Sequence, residues 1–156
     1  MPTVAGAPRP IRQLRDLTRY RRSLIQDRTH EMQRAKKLLE DAQINLSSVI
    51  SDIFGVSGRA MLEALIAGQR DPKVLAQLAK RRLRVKIAAL EEALRGFFTD
   101  HHAAIGRMML DNIDRHSEQI AALDTTIEAA VAPFARQDLG LQPFPARPRP
   151  DWTWPD

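Results

Sequence analysis

An apolar heptad repeat runs through the first third of the chain with no Gly or Pro after Pro10 to interrupt it. Its first row consists of Ile11, Thr18, Ile25, Met32, Leu39, Leu46 and Ile53. A repeat sustained over this length, with Thr18 as its one polar member, is typical of a coiled-coil helix. We therefore predict a single helix from Ile11 to Phe54. At 1.5 Å per residue it would be longer than a small domain is wide, so it needs a partner helix.

A second row lies three residues further along the same helix and differs in character between its two halves. It consists of Leu14, Arg21, Arg28, Ala35, Ala42 and Val49. Arginine in a dry helix–helix seam is destabilising unless a polar group meets it. Arg21 and Arg28 in the seam therefore add to the case for contact with nucleic acid, although an antiparallel pairing could also place the early turns near Asp124 and Glu128.

The partner helix is predicted to begin at Thr99 or Asp100 and to reach about Val131, where Pro133 would end it. Three short helices are predicted in between, after the helix stop at Gly55 to Gly58. They cover about Gly58 to Ala67 with Ser57 as N-cap, Pro72 to Lys80 with Asp71 as N-cap, and Arg84 to Arg95.

These elements predict an all-α fold: a long antiparallel coiled-coil hairpin with a small helical insert at its tip and a disordered C-terminal tail. Residues 1–10 would form a flexible segment, residues 11–134 the helical domain with the insert at about 55–98, and residues 135–156 a Pro/Trp-rich disordered tail. The sequence leaves open whether the long helices pair within one chain or between chains.

Charge is distributed unevenly along a chain whose net charge is +5. From Met1 to Lys37 there are ten Lys and Arg residues against three carboxylates, whereas Gly96 to Ala135 holds two arginines against six carboxylates. A further basic cluster, Lys80 to Lys86, places five cations within seven residues. A solvated face and contact with phosphates are equally open interpretations of this charge. The candidate nucleic-acid-binding residues are Arg15, Arg19, Arg22, Arg81, Arg82 and Arg84.

No catalytic site is predicted. The chain has no cysteine, its serines have no His/Asp partners at a recognisable spacing, and the adjacent His101 and His102 fit a helix start better than a metal site. We therefore expect no catalytic residue, no metal, no cofactor and no small-molecule substrate. With no apolar stretch of signal-peptide or membrane-span type, a soluble cytoplasmic protein with no membrane partner is the expectation.

Three stretches resemble one protein family: PRPIRQLRDLTRYRR at residues 8–22, LLEDA at 38–42 and VISDIFGVSGRAMLEALIAG at 49–68. They are similar to the central coiled-coil region of the insertion-sequence one-ten family of bacterial DNA transposases. The resemblance covers about residues 8–134. In that family a RuvC-like nuclease domain supplies four acidic metal ligands, a C-terminal domain supplies a nucleophilic serine, and a structured RNA is thought to act as guide.

The resemblance implies a non-catalytic fragment of a transposase, because neither catalytic domain has a counterpart here. The implied role in transposition is subunit association together with contact to guide RNA or DNA. As a homo-oligomer, the chain would associate through a seam of Ile25, Met32, Leu39, Leu46 and Ile53. The alternative is a structural helical hairpin whose basic and acidic arms neutralise each other, with no nucleic-acid partner.

Overall fold

Two long antiparallel helices packed along their length form the body of the protein. A computed structural model describes residues 8–138, with side-chain environments through residue 134. Helix α1 spans Arg9–Asp41 and helix α5 spans Asp100–Asp138. Between them lie a 3-10 turn at Leu46–Ser48, α2 at Val56–Ile66, α3 at Pro72–Ala76, a 3-10 segment at Arg81–Lys86 and α4 at Ile87–Ala93. The predicted all-α hairpin with a small helical head is confirmed, and its long helices pair within one chain.

Side-chain contacts fix the register of the hairpin. Arg21 bonds Asp124, Arg28 bonds Ser117, and Leu38 packs next to Gly106. As the position along α1 rises, the partner's position along α5 falls, as an antiparallel pair requires.

Helix α1 ends at Asp41, which corrects the prediction that it continues to Phe54. Gln43 adopts a left-handed φ of 59°, the Gln43 N–H bonds the Glu40 carbonyl, and the Ile44 N–H bonds the Leu39 carbonyl at 2.8 Å. These two bonds form a Schellman motif, which satisfies the last carbonyls of a helix. The burial of Ile44, 2% exposed, adds the apolar contact that accompanies this motif.

The core lies in the head and in the adjoining half of the hairpin. Leu46 and Ile53, expected to lie in a coiled-coil seam, are instead each 1% exposed in the head, around Met61, Leu65 and Leu90. The distal half of the hairpin buries far less, because only two helices are stacked there. Among the described residues of this distal half, the buried apolar side chains are Leu24 and Ile120.

Several helix boundaries in the head and in α5 differ from prediction. Asp71 caps α3 as predicted, accepting a 3.0 Å bond from the Lys73 N–H. Ser57 lies inside α2, whose N-cap is Gly55, and its hydroxyl oxygen accepts a bond from the Lys80 N–H. Pro133 does not end α5, which continues to Asp138.

Proline has no backbone N–H, so the carbonyl four residues before it loses its helical hydrogen bond. At this exposed end of the helix, water can bond that carbonyl at little cost in free energy. The rest of the predicted tail, residues 139–156, and most of the predicted N-terminal segment, residues 1–7, lie outside the described residues.

Candidate nucleic-acid interface

Four arginines of α1 form a continuous basic strip, called the outer stripe here. They are Arg12, Arg15, Arg19 and Arg22, and all four are exposed. At 100° per residue they fall within about 80° of the helix circumference, along about 15 Å of its axis. Leu17 and Leu24, which face α5, lie on the opposite side of α1. Helix geometry thus directs the outer stripe away from the rest of the fold.

The same outward face stays free of carboxylates beyond the outer stripe. The exposed residues that continue it are Gln26, His30, Gln33 and Lys37. The first acidic residue on this line is Glu40, at the end of the helix. This line of α1 is therefore positive or neutral over about 38 Å, with the exposed Asp16 and Asp27 beside it.

The acidic arm does not neutralise the outer stripe. Within the described residues a single salt bridge joins α1 to α5, between Arg21 Nε and Asp124 Oδ1 at 2.5 Å. The other long-range ion pairs of α5 lead to the head and take up Asp100 and Asp114, while Asp111 pairs with Arg107 within α5. None of the four stripe arginines forms a salt bridge in the described part of the chain.

Arg21 and Arg28, whose seam positions in the sequence suggest contact with nucleic acid, point inward and bond side chains of α5 instead. Arg21 meets Asp124, and Arg28 Nη1 donates to Ser117 Oγ at 3.2 Å. One turn beyond Arg28 towards the head, Glu31 is 8% exposed and accepts a bond from Arg34. The polar half of the seam is thus closed by side chains of the same chain, and its arginines are not available to a ligand.

The basic cluster of the head, Lys80 to Lys86, is exposed at all five cations. Two of them serve the fold: Arg84 Nη1 donates to the Ala79 carbonyl at 3.1 Å, and Lys86 Nζ donates to the Val49 carbonyl at 3.3 Å. Arg82 makes no side-chain hydrogen bond within the described residues. The segment is a 3-10 helix, in which side chains three apart eclipse, so Arg81 and Arg84 share a row.

Lys80 and Arg81 also border a cavity of about 420 Å³. Its wall includes Ser57 and Gly58 at the start of α2, together with the carboxylate-bearing Asp52. Arg81 has a left-handed φ of 57°, a strained conformation for a residue with a side chain.

The six predicted nucleic-acid-binding residues therefore fall into two groups that the fold keeps apart. Arg15, Arg19 and Arg22 lie on the distal half of α1, and the other three lie in the head. From Arg22 to the end of α1 the helix rises about 28 Å. Sequence reasoning missed Arg12, although its position three residues before Arg15 marks it as part of the same face.

The predicted oligomer seam is largely internal to the monomer. Leu39 is 4% exposed, and Leu46 and Ile53 are buried in the head. Ile25 and Met32 are half-buried at the flank of the α1–α5 contact. Two rows of α1 form the centre of that contact: the predicted second row and a row made up of Leu17, Leu24, Glu31 and Leu38. The seam is therefore rotated around the axis of α1 relative to the predicted first row.

An ion network that the sequence did not reveal joins α2 to α5. Arg59 binds Asp114 with two bonds, at 2.9 and 2.7 Å, and Arg107 Nη1 lies 2.5 Å from Glu63 Oε2. The hydrogen bond from Arg107 is the main cause that lowers the pKa of Glu63, and a bond from Arg59 lowers it further. The Asp114 and Glu63 carboxylates correspondingly raise the pKa of Arg59 and of Arg107. The network ties the head to the hairpin.

The histidines do not assemble a metal centre. His102 Nδ1 accepts the Thr99 N–H at 3.1 Å and lies 2.9 Å from the Thr99 hydroxyl, so it completes the cap of α5. His30 is exposed, and His116 is half-buried in the seam with Nδ1 unbonded. Among the described residues, no three His, Cys, Asp or Glu side chains converge as metal ligands.

None of the described helices combines the length and the apolar character that crossing a membrane requires. Compared with models of protein families, with curated proteins and with solved structures, the chain yields no match.

Proposed function

We propose that this protein is a nucleic-acid-binding helical hairpin without catalytic activity. The proposal extends the resemblance to the transposase coiled coil, in which such a module associates subunits and contacts guide RNA or DNA. One observation carries it: the outer stripe presents four arginines on one exposed face, and no carboxylate within the described residues pairs with them.

The phosphodiester backbone is the ligand that best fits this arrangement. Neighbouring stripe residues are separated by about 4.5–6 Å along the helix axis, comparable to the spacing of successive charges along a nucleic-acid strand. Arginine binds phosphate through a planar fork of donors, with geometry that lysine lacks. Contacts of this kind provide affinity without reading sequence.

The alternative, a structural hairpin with neutralised arms, requires the basic arm to be paired with the acidic one. Between residues 8 and 138, Arg21 is the one basic residue of α1 that makes such a pair. The structural alternative therefore leaves the outer stripe without a role.

Binding to an RNA hairpin and to duplex DNA, followed by fluorescence anisotropy between 50 and 300 mM salt, tests the proposal. Arg15→Gln with Arg19→Gln should reduce the slope of log K against log salt by about 2, because two phosphate contacts disappear. Lys73→Gln with Arg115→Gln removes the same charge from exposed positions off the stripe and should leave the slope almost unchanged. Glutamine retains the helix propensity of arginine.

Absence of binding to either nucleic acid at 50 mM salt would refute the proposal in favour of the structural alternative. Equal slopes for the stripe variant and its control would show that binding follows net charge alone and that the outer stripe is not the interface.

Subunit association is the second part of the proposal. Since Leu39, Leu46 and Ile53 are internal, association must use the flank, where Ile25 and Met32 remain half-exposed one heptad apart. Replacing Ile25 with Asp should convert an oligomer to monomer in sedimentation, with circular dichroism as the check on folding; Met32 is left intact because it packs against the core. A wild-type protein that is monomeric at high concentration would refute this part.

The transposase origin, the absence of enzymatic activity and a cytoplasmic location belong to the same proposal. Genomic DNA flanking the gene should encode the RuvC-like nuclease domain and the serine domain of the family. Flanking DNA without either would remove the family from the proposal and leave the binding function to be judged by the salt titration.

A further inference from the structure

Phe97 exposes an aromatic ring to solvent at the junction of the head and the hairpin. The residue is 71% exposed, whereas its neighbour Phe98 is 7% exposed and belongs to the core. Tyr20, on α1, is the other aromatic side chain that the described residues leave more than half exposed. Single exposed apolar side chains are common on protein surfaces, so the exposure of Phe97 gains weight only from the contacts that anchor its backbone and from the cavity beside its ring.

Backbone contacts fix this exposure. A Cβ on Gly96 would lie 2.5 Å from the Ala42 carbonyl oxygen and 2.8 Å from that of Gln43, so glycine alone allows the chain to pass this close to the end of α1. The Phe97 N–H then bonds the Ala42 carbonyl at 2.7 Å. On the other side, Phe98 is anchored in the core under the Arg70 guanidinium, 5.1 Å from the ring centroid. Phe97 is held outward by contacts on both sides.

A shallow cavity of about 380 Å³ adjoins the ring. Leu94 and Pro72 supply apolar surface, while Arg70 and Arg95 supply positive charge. The Arg95 side chain is 62% exposed and approaches Glu92 only to 3.8 Å, so its guanidinium is free to take another partner. The volume is near the lower end of the range for small-molecule sites, which begins at about 300 Å³.

We propose that Phe97 is a stacking platform for an unpaired nucleobase, with Arg95 contacting the adjoining phosphate. Proteins that bind unpaired nucleotides combine an aromatic face with a neighbouring cation in this way. A base within a duplex is already stacked on both faces, so the platform selects bulged, looped or single-stranded nucleotides. This inference rests on the proposed nucleic-acid function and adds a preference that the outer stripe, which contacts backbone only, does not provide.

The test compares a blunt-ended RNA duplex carrying a single-nucleotide bulge with its fully paired counterpart, and includes the same pair in DNA. With 2-aminopurine at the bulge, binding of wild-type protein should change the fluorescence, and the bulged form should bind about tenfold or more tighter. Phe97→Leu should abolish the preference and the fluorescence change while leaving affinity for the paired form unchanged. Phe97→Trp should retain both, and Tyr20→Leu, the matched exposed aromatic, should have no effect.

The outcomes separate this inference from the function on which it rests. Equal binding of bulged and paired forms by wild-type protein would overturn the stacking platform and leave the outer stripe in place. No binding to any of the four nucleic acids would refute both. The inference would also be overturned if Phe97→Leu lowered the affinity for both forms alike, because Phe97 would then serve the fold. It would be overturned as well if Phe97→Leu changed the sedimentation mass without nucleic acid, because Phe97 would then belong to a protein contact. A preference in only one of the RNA and DNA pairs would identify the natural source of the unpaired base.

Discussion

Replacing Gly106 with alanine should stabilise the protein, although the residue is buried in the second turn of α5. A Cβ built at Gly106 would lie 3.5 Å from Ile66 Cδ1 and 3.5 Å from Leu38 Cδ2, which is ordinary van der Waals contact. A small apolar void lined by Leu38, Ile66 and Phe98 adjoins the site. The added methyl group therefore enters space that is available and apolar.

The expected gain has two sources. Glycine within a helix costs about 0.5–1 kcal/mol relative to alanine, because its backbone loses more freedom on folding. Burying one methyl group contributes about 0.8 kcal/mol more. Gly106→Ala should thus raise the free energy of unfolding by about 1–2 kcal/mol and the Tm by about 3–7 °C. Urea and thermal unfolding followed by circular dichroism measure both quantities.

Gly58 provides the matched control, since it is also a buried helical glycine. Its Cβ would lie 2.2 Å from the Ile53 carbonyl oxygen and 2.6 Å from the carbonyl carbon, both of them backbone atoms that cannot rotate away. Gly58→Ala should lower the free energy of unfolding by about 3 kcal/mol or more, at the upper end of overpacking costs. A Gly106→Ala protein less stable than wild type, or a Gly58→Ala protein of unchanged stability, would refute the reasoning.

Three further changes test other parts of the fold. Leu39→Asp should unfold the monomer in circular dichroism, because it buries a charge in the core; a folded monomer would contradict this. Gln43→Gly should raise the Tm, by relieving about 1 kcal/mol of left-handed strain at the end of α1; an unchanged Tm would contradict it. Glu63→Gln should reduce the free energy of urea unfolding at pH 7 by about 0.5–1 kcal/mol, a small effect at a partly exposed site. Because the pKa of Glu63 is lowered from 4.5 by Arg107, its contribution is present above pH 4.5 and is lost as the pH falls through the folded-state pKa. The difference between the two proteins should therefore shrink at pH 3, and a constant difference would contradict the assignment.

The hairpin was predictable because its signal extends over many residues, whereas the end of α1 depends on a single one. Two long heptad patterns separated by glycines and capped short helices permit few arrangements other than antiparallel pairing. The end of α1 depends on Gln43 in a conformation that glycine usually supplies, so the sequence carries no recognisable stop there. The apolar residues beyond it continue the heptad spacing by coincidence, since Leu46 and Ile53 are core residues of the head.

The rotation of the seam has a similar cause. Judged by hydrophobicity alone, the apolar first row is a better candidate for the helix contact than the second row, which contains Arg21 and Arg28. The second row nevertheless lies at the centre of the contact between α1 and α5. Side chains on the facing helix decide this, because Asp124 and Ser117 satisfy the two arginines. Pairing between helices distant in sequence is not visible in the pattern of either helix alone.

The contrast between the inward and outward arginines of α1 bears directly on function. Inward arginines are met by polar groups, which limits the cost of burying them. The outward ones repel one another, since Arg12 and Arg15, Arg15 and Arg19, and Arg19 and Arg22 are three or four residues apart, and like charges at these spacings destabilise a helix by about 0.2–0.5 kcal/mol each. Asp16, four residues after Arg12 and three before Arg19, offsets part of that repulsion, although it forms no salt bridge within the described residues. A local arrangement that opposes stability and is compensated only in part within the fold is expected where a sequence serves binding, and an anionic ligand along the outer stripe would remove the remaining repulsion.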